Sequence, residues 1–324
     1  MTLGITVGKF FPFHRGHDHL IREAKRHVDD LVVLLGYKPN DQVKGSVRAG
    51  WIRTEHPDVE VVEVLDDIPE APEPWAKRAL EVLNGRQPEL AFTSEDYGEP
   101  WAEAMGARHL PIDRGRAVVP ISGTELRQNL GGNWDWLMPS AKAYFARRVC
   151  VLGSESTGTT TLSRDLAKHY RTVWVPEAGR AYWEGRRHTE RAASWDTDEF
   201  VRIARMQIRA EDDLARLANK LVVCDTDALA THVWHRRYRG EYSSAVEALA
   251  DSRSYDLYLL TEPDFEFVQD GTREGRSIRD EMHEWFRAVL EQKKRNFIGV
   301  AGSPEHRLSQ SIESIGPLLR FPPF

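Results

Sequence analysis

The chain has 324 residues, of which 41% are hydrophobic and 29% are charged, and its net charge is −6 at neutral pH. This length favours two domains, and the apolar content suffices to build a core in each. The negative charge argues against a broad basic surface, so neither direct DNA binding nor membrane association is expected.

The sequence also favours a reducing compartment. The first residues lack the apolar stretch of a signal peptide and predict the first strand of a domain. Apolar runs such as Leu31–Leu35 are far too short to span a bilayer. Cys150 and Cys224 both lie in predicted buried strands, where reduced thiols are expected rather than a disulfide or a metal pair. These features predict a cytoplasmic protein.

Strands and helices alternate through the first half of the chain. Short apolar runs predict the strands, and helical periodicity predicts the helices between them. The predicted strands are Leu3–Gly8, Asp30–Leu35, Val59–Leu65 and Leu90–Ser94, and the predicted helices are Asp18–His27, Val47–Glu55 and Trp75–Leu83. Alternation with short connections predicts an α/β fold with a doubly wound parallel sheet, whose ligand lies at the carboxyl ends of the strands.

Two histidines follow the first predicted strand. His14 and His17 flank Gly16 at the start of a predicted helix. Two imidazoles three positions apart at a helix N-terminus can hydrogen-bond one phosphate group, and the glycine lets the backbone approach it. A metal site is less favoured, because no third ligand has matching spacing. Solvent-facing loop histidines are the remaining alternative.

A helix start rich in hydroxyl groups lies further on, at Ile121–Arg127. Ser122 or Thr124 can cap this helix, and Arg127 lies one turn further in. Together they offer hydroxyls, N–H donors and a guanidinium to a polyphosphate. Lys9, just after strand one, either adds charge to that triphosphate or is a solvated loop lysine.

The two motifs resemble the HxGH and ISxTxxR signatures of the nucleotidylyltransferase superfamily. In that family the adenylyl group of ATP passes to a 5′-phosphate, and pyrophosphate leaves. The resemblance implies that the histidines contact the α- and β-phosphates, while the hydroxyls and the guanidinium hold the departing end. The implied residues are the catalytic His14, His17 and Arg127, with Gly8, Lys9, Gly16, Ser122 and Thr124 binding ATP. Such a transfer requires positioning and charge neutralisation more than a protein nucleophile.

The second half begins after a connector with a short helical stretch, Trp134–Phe145. A new strand is predicted from Arg147, which places the domain boundary near residue 146. The predicted domains are therefore residues 1–146 and 147–324.

A loop bounded by glycines follows this strand. Gly153–Thr161 comes after the apolar run Arg148–Leu152 and before a helical pattern at Leu162–His169. Strand, loop and helix in this order predict a P-loop, whose backbone N–H groups face a phosphate. A tight turn without a ligand is the alternative. The predicted P-loop residues are Gly153, Glu155, Ser156, Gly158, Thr159, Thr160 and Thr161.

Thr159 stands where the P-loop pattern has a lysine. That lysine normally reaches the β- and γ-phosphates of the nucleotide. A nucleotide site is therefore predicted, and its catalytic competence is left open.

Polar residues follow the later strands of this half. The acids of Leu221–Asp227 come after an apolar strand, where a carboxylate can hold Mg²⁺ through water. The basic, glycine-containing segment Asp270–Arg276 is typical of a lid over phosphates. Taken singly, the acids could cap helices and the arginines could lie on a solvated face. The candidate residues are Glu177, Arg180, Asp225, Asp227, Asp270, Arg273 and Arg276, with Thr160 and Asp225 as the predicted metal ligands.

Both halves together resemble the NadR family over essentially the whole chain. The second half contributes GSESTGTTTL, EAGRAY, CDTD and DGTREGRS. The resemblance implies a nicotinamide mononucleotide adenylyltransferase domain followed by a ribosylnicotinamide kinase domain, with ATP as substrate, Mg²⁺ as cofactor and NAD as product. Some members carry an additional helix-turn-helix domain, which is not expected here because strand one starts at Leu3.

The leading hypothesis is an NAD-forming nucleotidyltransferase whose kinase-like domain is weakened at Thr159. Trp75, after a Pro-Glu-Pro segment, is the predicted stacking partner of nicotinamide, with a core anchor as the alternative. The other hypothesis is a sensor that binds NAD or ATP without turnover. The sequence leaves open the choice between nicotinamide and nicotinic acid mononucleotides, and it is compatible with a homo-oligomer.

Overall fold

A computed structural model describes residues 1–264 and 276–324, with the side chains of 193, 276 and 277 left out. The chain divides into two compact units, residues 1–141 with 321–324, and residues 142–320. Within the described ranges, no helix is long and apolar enough to cross a membrane.

The first unit is built on a five-stranded parallel sheet with the order β3-β2-β1-β4-β5. Its strands are β1 (Leu3–Gly8), β2 (Asp30–Tyr37), β3 (Glu60–Leu65), β4 (Leu90–Thr93) and β5 (Arg108–Pro111). Its helices are α1 (Arg15–Ala24), α2 (Gly45–Glu55), α3 (Pro72–Leu83), α4 (Gly98–Met105) and α5 (Gly123–Gln128), with a 3₁₀ turn at Trp134–Trp136. The chain leaves β1 and β4 in opposite directions, so a crevice opens at the carboxyl ends of these two strands.

Buried apolar residues of the central strands form the core of this unit. Ile5 of β1 and Val32 of β2 pack in one cluster with Ala76 and Ala79 of α3. The strands contribute short apolar runs and α3 contributes apolar residues at helical spacing, which is why the sequence predicted these elements. Pro72 starts α3 at a position where no N–H is needed.

The second unit begins within α6 (Pro139–Phe145) and has a second parallel sheet with the order β10-β9-β6-β8-β7. Its strands are β6 (Arg147–Leu152), β7 (Val173–Val175), β8 (Leu221–Asp225), β9 (Leu257–Thr261) and β10 (Phe297–Val300). Its helices are α7 (Thr159–Tyr170), α8 (Ala178–Arg186), α9 (Thr197–Ala215), α10 (Ala228–Arg239), α11 (Ser244–Asp251), α12 (Arg276–Gln292) and α13 (Pro304–Ile315), with 3₁₀ turns at Glu190–Ala193 and Gly316–Leu319.

The predicted fold class, two doubly wound parallel sheets, is confirmed. Cys150 and Cys224 are free, fully buried thiols at paired positions of β6 and β8. The first predicted helix is displaced, because His14 caps it and the helix starts at Arg15 instead of Asp18. A boundary near residue 146 stays a prediction about independently folding domains, which limited proteolysis would test.

Candidate functional sites

The histidine motif forms the turn from β1 into α1. His14 is the N-cap residue of α1, and its Nδ1 accepts a hydrogen bond of 3.0 Å from the Gly16 N–H. The ring centroids of His14 and His17 lie 3.8 Å apart. A Cβ on Gly16 would come within 2.8 Å of the His14 ring, so the turn requires glycine there.

Both imidazoles are neutral at physiological pH. Burial, with Arg116 and Arg127 nearby, lowers the pKa of His14 to about 4. Burial, with His14 next to it, holds the pKa of His17 well below its usual range. A neutral imidazole keeps one N–H donor and one acceptor nitrogen. The Nδ1 of His17 is buried and has no hydrogen-bond partner in the described part of the chain.

The predicted hydroxyl motif forms α5. Ser122 caps this helix in a reciprocal capping box, accepting from the Glu125 N–H at 3.1 Å while its own N–H donates to the Glu125 carboxylate at 2.8 Å. The Arg127 guanidinium donates to the Phe11 carbonyl at 2.6 Å and to the Thr124 hydroxyl at 3.0 Å. Thr124 therefore orients Arg127, and the segment after β1 fixes where that charge lies.

A cavity of about 190 Å³ joins these elements at the predicted crevice. Its lining includes Gly8, Lys9, His14, Gly16, His17, Ser122 and Arg116, whereas neither Thr124 nor Arg127 is among the residues that line it. Arg116, an ion-pair partner of Glu95 at 3.0 Å, was missed by the sequence reasoning. The sequence does contain a signal for it, because the segment Asp113–Arg116 places two arginines around a glycine, a composition that suits phosphate binding.

A second cavity, of about 430 Å³, shares Gly8, Lys9 and Tyr97 with the first. Trp75, Tyr97 and Trp101 line it, and its acids are Asp66 and Glu70. A Cβ on Gly36 would lie 3.1 Å from the Trp75 ring, so glycine leaves room for the indole. An aromatic-walled space next to the phosphate cavity suits a flat heterocycle.

Arg48 of α2 holds the segments between the two cavities, and nothing in the sequence marked it. Its fully buried guanidinium donates to the carbonyls of Lys9 at 2.6 Å and Gly36 at 3.2 Å. It also pairs with Asp41 at 2.5 Å. Buried charge is tolerated only when it is paired and hydrogen-bonded. Here that pairing fixes the backbone just after β1 and at the end of β2.

The predicted P-loop has the expected geometry between β6 and α7. Ser156 and Gly158 both adopt positive φ, of 59° and 83°. The Thr157 hydroxyl donates to the Ser154 carbonyl at 2.7 Å, and the Thr261 hydroxyl of β9 donates to the Leu152 carbonyl at 3.0 Å. These bonds hold the loop in a turn whose backbone N–H groups can face an anion.

Asp225 ends β8 beside the first residues of α7. Burial raises the pKa of this carboxyl, and hydrogen bonds from Thr160 and Thr159 oppose the rise. One of its carboxylate oxygens is buried without a hydrogen-bond partner among the described residues. Carboxylate and hydroxyl oxygens fit Mg²⁺, which keeps several waters and phosphate oxygens in its shell. A cluster of three metal-binding side chains is correspondingly absent from the described ranges.

Glu177 precedes α8 at the same edge of the sheet. Burial and the negative charge of Asp225 raise its pKa to about 7, against the opposing effect of Arg180. The Arg180 guanidinium lies 3.7 Å from this carboxylate. A carboxyl that titrates near neutrality can accept a proton from a hydroxyl group.

The structure gives the other predicted residues of this half a scaffold role or does not describe them. Asp227 caps α10, accepting from the Ala230 N–H at 2.8 Å, and its second oxygen accepts from the Tyr258 hydroxyl at 2.9 Å. These scaffold bonds occupy both carboxylate oxygens. Asp270 and Arg273 lie outside the described residues, and α12 starts at Arg276, whose side chain also lies outside them.

Family models and relatives match both units. Residues 5–129 match the cytidylyltransferase-like family, and residues 148–307 match an AAA domain family. The trifunctional NAD biosynthesis/regulator protein NadR of Escherichia coli is 28% identical over 92% of this chain and 78% of its own length. The NadR protein of Salmonella typhimurium is 29% identical over 86% of this chain and 73% of its own length.

Solved structures show the same architecture. A crystal structure of a NadR protein in complex with NR has a TM-score of 0.75 and 22% identity, covering 98% of this chain and 95% of its own. A second, in complex with NAD and AMP-PNP, has a TM-score of 0.72 and 22% identity, covering 98% and 96%.

The fold and the matched families define a nucleotidylyltransferase-type domain followed by a P-loop domain. Within that class, the chain is a homologue of the NadR proteins, with similarity running through both domains.

Proposed function

We propose that the first domain transfers the adenylyl group of ATP to nicotinamide mononucleotide, giving NAD and pyrophosphate. The observation that carries this is the adjacent, neutral pair His14 and His17, which lines a phosphate-sized cavity that continues into an aromatic one. The names of the NadR relatives support the same pathway.

The residues would act by placement and charge. His14 and His17 donate N–H groups to the phosphates where transfer occurs, at no cost of burying an imidazolium. A phosphate oxygen of the mononucleotide attacks the α-phosphorus, and the bond from that phosphorus to the bridging oxygen breaks. Arg127 and Arg116 neutralise the charge that gathers on the departing pyrophosphate. Mg²⁺, when bound, would neutralise further charge on the triphosphate.

The aromatic cavity would receive the acceptor. Trp75 offers an indole face to the nicotinamide ring. Lys9 lies where the cavities meet, with its ammonium 3.7 Å from Asp66 and 3.5 Å from Glu70, and is 59% exposed. It would exchange these long ion pairs, one with the buried Asp66 and one with the exposed Glu70, for the phosphates of a bound nucleotide.

The second domain would bind ATP and ribosylnicotinamide as a weakened kinase. Thr160 and Asp225 would hold Mg²⁺, and Glu177 would accept the proton of the attacking hydroxyl. Thr159 supplies no charge to the β- and γ-phosphates, which favours slow phosphorylation or binding without turnover. Arg273 or Arg276, which the sequence predicts near the transferred phosphate, is the candidate to compensate.

The free, buried thiols of Cys150 and Cys224 support a cytoplasmic location for the protein.

Two alanine variants, one at His17 and one at a control histidine, test adenylyl transfer. His17→Ala removes a phosphate contact and should lower NAD formation about 10²- to 10³-fold with the fold intact. His27→Ala, an exposed histidine outside both cavities, serves as the matched control and should retain full activity. Near-normal turnover of His17→Ala, measured by chromatography of NAD, would overturn the assignment.

A further inference from the structure

Four residues at the end of the chain belong to the first unit. In this Phe321–Phe324 segment, the Phe324 N–H donates to the Arg127 carbonyl at 3.1 Å. The Phe324 ring centroid lies 5.5 Å from that of Phe11, and the Phe321 ring centroid lies 5.5 Å from Trp134. The segment therefore contacts α5 through its backbone and the residues on either side of it through aromatic rings.

Helix α5 depends on such contacts because it has only six residues. Helices this short are unstable alone, and the carbonyl groups of their last turn lack intrahelical donors. The capping box of Ser122 and Glu125 satisfies the first turn. The Arg127 carbonyl belongs to the last turn, and the Phe324 N–H satisfies it.

The same contacts bear on the guanidinium of Arg127. It donates to the Phe11 carbonyl at 2.6 Å and lies 5.6 Å from the centroid of the Phe11 ring. Phe324 thus touches both the backbone of Arg127 and the ring next to its charged group. Neither Phe321 nor Phe324 is among the residues that line the two cavities, so their effect on a ligand would be indirect.

We propose that the Phe321–Phe324 segment positions Arg127 for adenylyl transfer. This inference rests on the proposed function of the first domain. Catalytic groups must be held close to their productive geometry, and a displacement of about 1 Å can cost ~100-fold in rate. Half-buried Phe321 and Phe324 pack against the unit, while Pro322 and Pro323 between them are exposed.

Substitutions in the segment give the first test. Phe324→Ala should lower kcat/KM for NAD formation about tenfold or more. The change should appear as a lower kcat and a higher KM for ATP. Phe324→Leu keeps apolar bulk and the backbone N–H, and should recover most of the activity. Pro323→Ala is the matched control and should change activity less than about twofold. Unchanged activity in Phe324→Ala and in a variant lacking residues 321–324 would overturn the proposal.

A double-mutant cycle separates positioning from a general loss of stability. If the segment acts through Arg127, Phe324→Ala should cause no further loss in an Arg127→Ala background. Full additivity of the two losses would contradict the proposal. Thermal unfolding of each variant shows whether the fold is retained. If Phe324→Ala does not fold, Phe321→Ala, which removes the ring contact with Trp134, takes its place in the cycle.

The two proposals fail in different ways. Absence of NAD formation by the wild-type protein would refute the proposed function. Positioning would then still be measured by calorimetry of ATP binding to the wild type, the two single variants and the double variant. ATP bound at the second domain contributes equally to all four proteins and cancels in the comparison. An ATP affinity that Phe324→Ala leaves unchanged would refute the positioning role.

Discussion

Thr159→Lys restores the charge that a P-loop kinase site uses and tests whether its loss limits the second domain. Thr159 starts α7, and its hydroxyl hydrogen-bonds toward Asp225. A lysine here would extend an ammonium group along the loop toward the β- and γ-phosphates. The negative charge of Asp225 contributes to raising the pKa of Glu177. A positive charge at position 159 would offset that contribution and so lower the pKa of Glu177.

The expected gain follows from two opposing contributions. A donor aimed at developing phosphate charge is worth ~3–4 kcal/mol in the transition state. Losing the hydrogen bond between Thr159 and Asp225 costs about 1 kcal/mol. The difference of about 2–3 kcal/mol corresponds to a rise in phosphorylation of about 30- to 150-fold.

The assay is chromatography of nicotinamide mononucleotide formed from ATP and ribosylnicotinamide. Thr159→Gln has a long polar side chain without the charge, so it is the matched control and should give no comparable gain. A wild-type turnover of about 1–100 s⁻¹, unchanged in Thr159→Lys, would refute the reasoning and show that another cation has replaced the lysine.

Three further predictions concern the scaffold and the aromatic cavity. Burial raises the pKa of Glu211 from 4.5 to about 8, so the folded state binds a proton that the unfolded chain releases, and stability should fall as pH rises between these values. Glu211→Gln should flatten that dependence in urea unfolding followed from pH 5 to 9, and an unchanged slope would contradict the prediction. Arg48→Lys cannot reach the carbonyls of Lys9 and Gly36 and the Asp41 carboxylate together, so it should destabilise the protein by about 3 kcal/mol while raising KM for both substrates. Unaltered urea midpoints and kinetics would count against its positioning role. Trp75→Ala should raise KM for nicotinamide mononucleotide at least tenfold and leave KM for ATP unchanged, and an equal rise in both would argue for a core role instead.

The sequence predicted the parts of the fold whose pattern is local. β1 runs over Leu3–Gly8 as predicted, since a buried central strand is a continuous apolar run. The P-loop was equally visible, because two glycines at fixed spacing between strand and helix are a local signature. By contrast, β5 has a single aliphatic side chain, that of Leu110, and does not stand out from a loop.

The parts of the site that escaped prediction depend on tertiary contacts. Arg48 lies in a predicted helix like any solvated arginine, and only folding brings the carbonyls of Lys9 and Gly36 to its guanidinium. Phe324 is distant in sequence from Phe11, yet their rings meet. Asp227 shows the converse case, because its spacing after β8 suits a ligand while its bonds make it a helix cap.

The central claim is adenylyl transfer, and the most direct test measures both products of one reaction. The purified protein is incubated with ATP, Mg²⁺ and nicotinamide mononucleotide, and NAD and pyrophosphate are quantified over time. If the first domain transfers the adenylyl group, the wild type should form equimolar NAD and pyrophosphate, and His17→Ala should lose both. Tight binding of ATP and the mononucleotide by calorimetry with neither product formed would contradict it and identify a sensor.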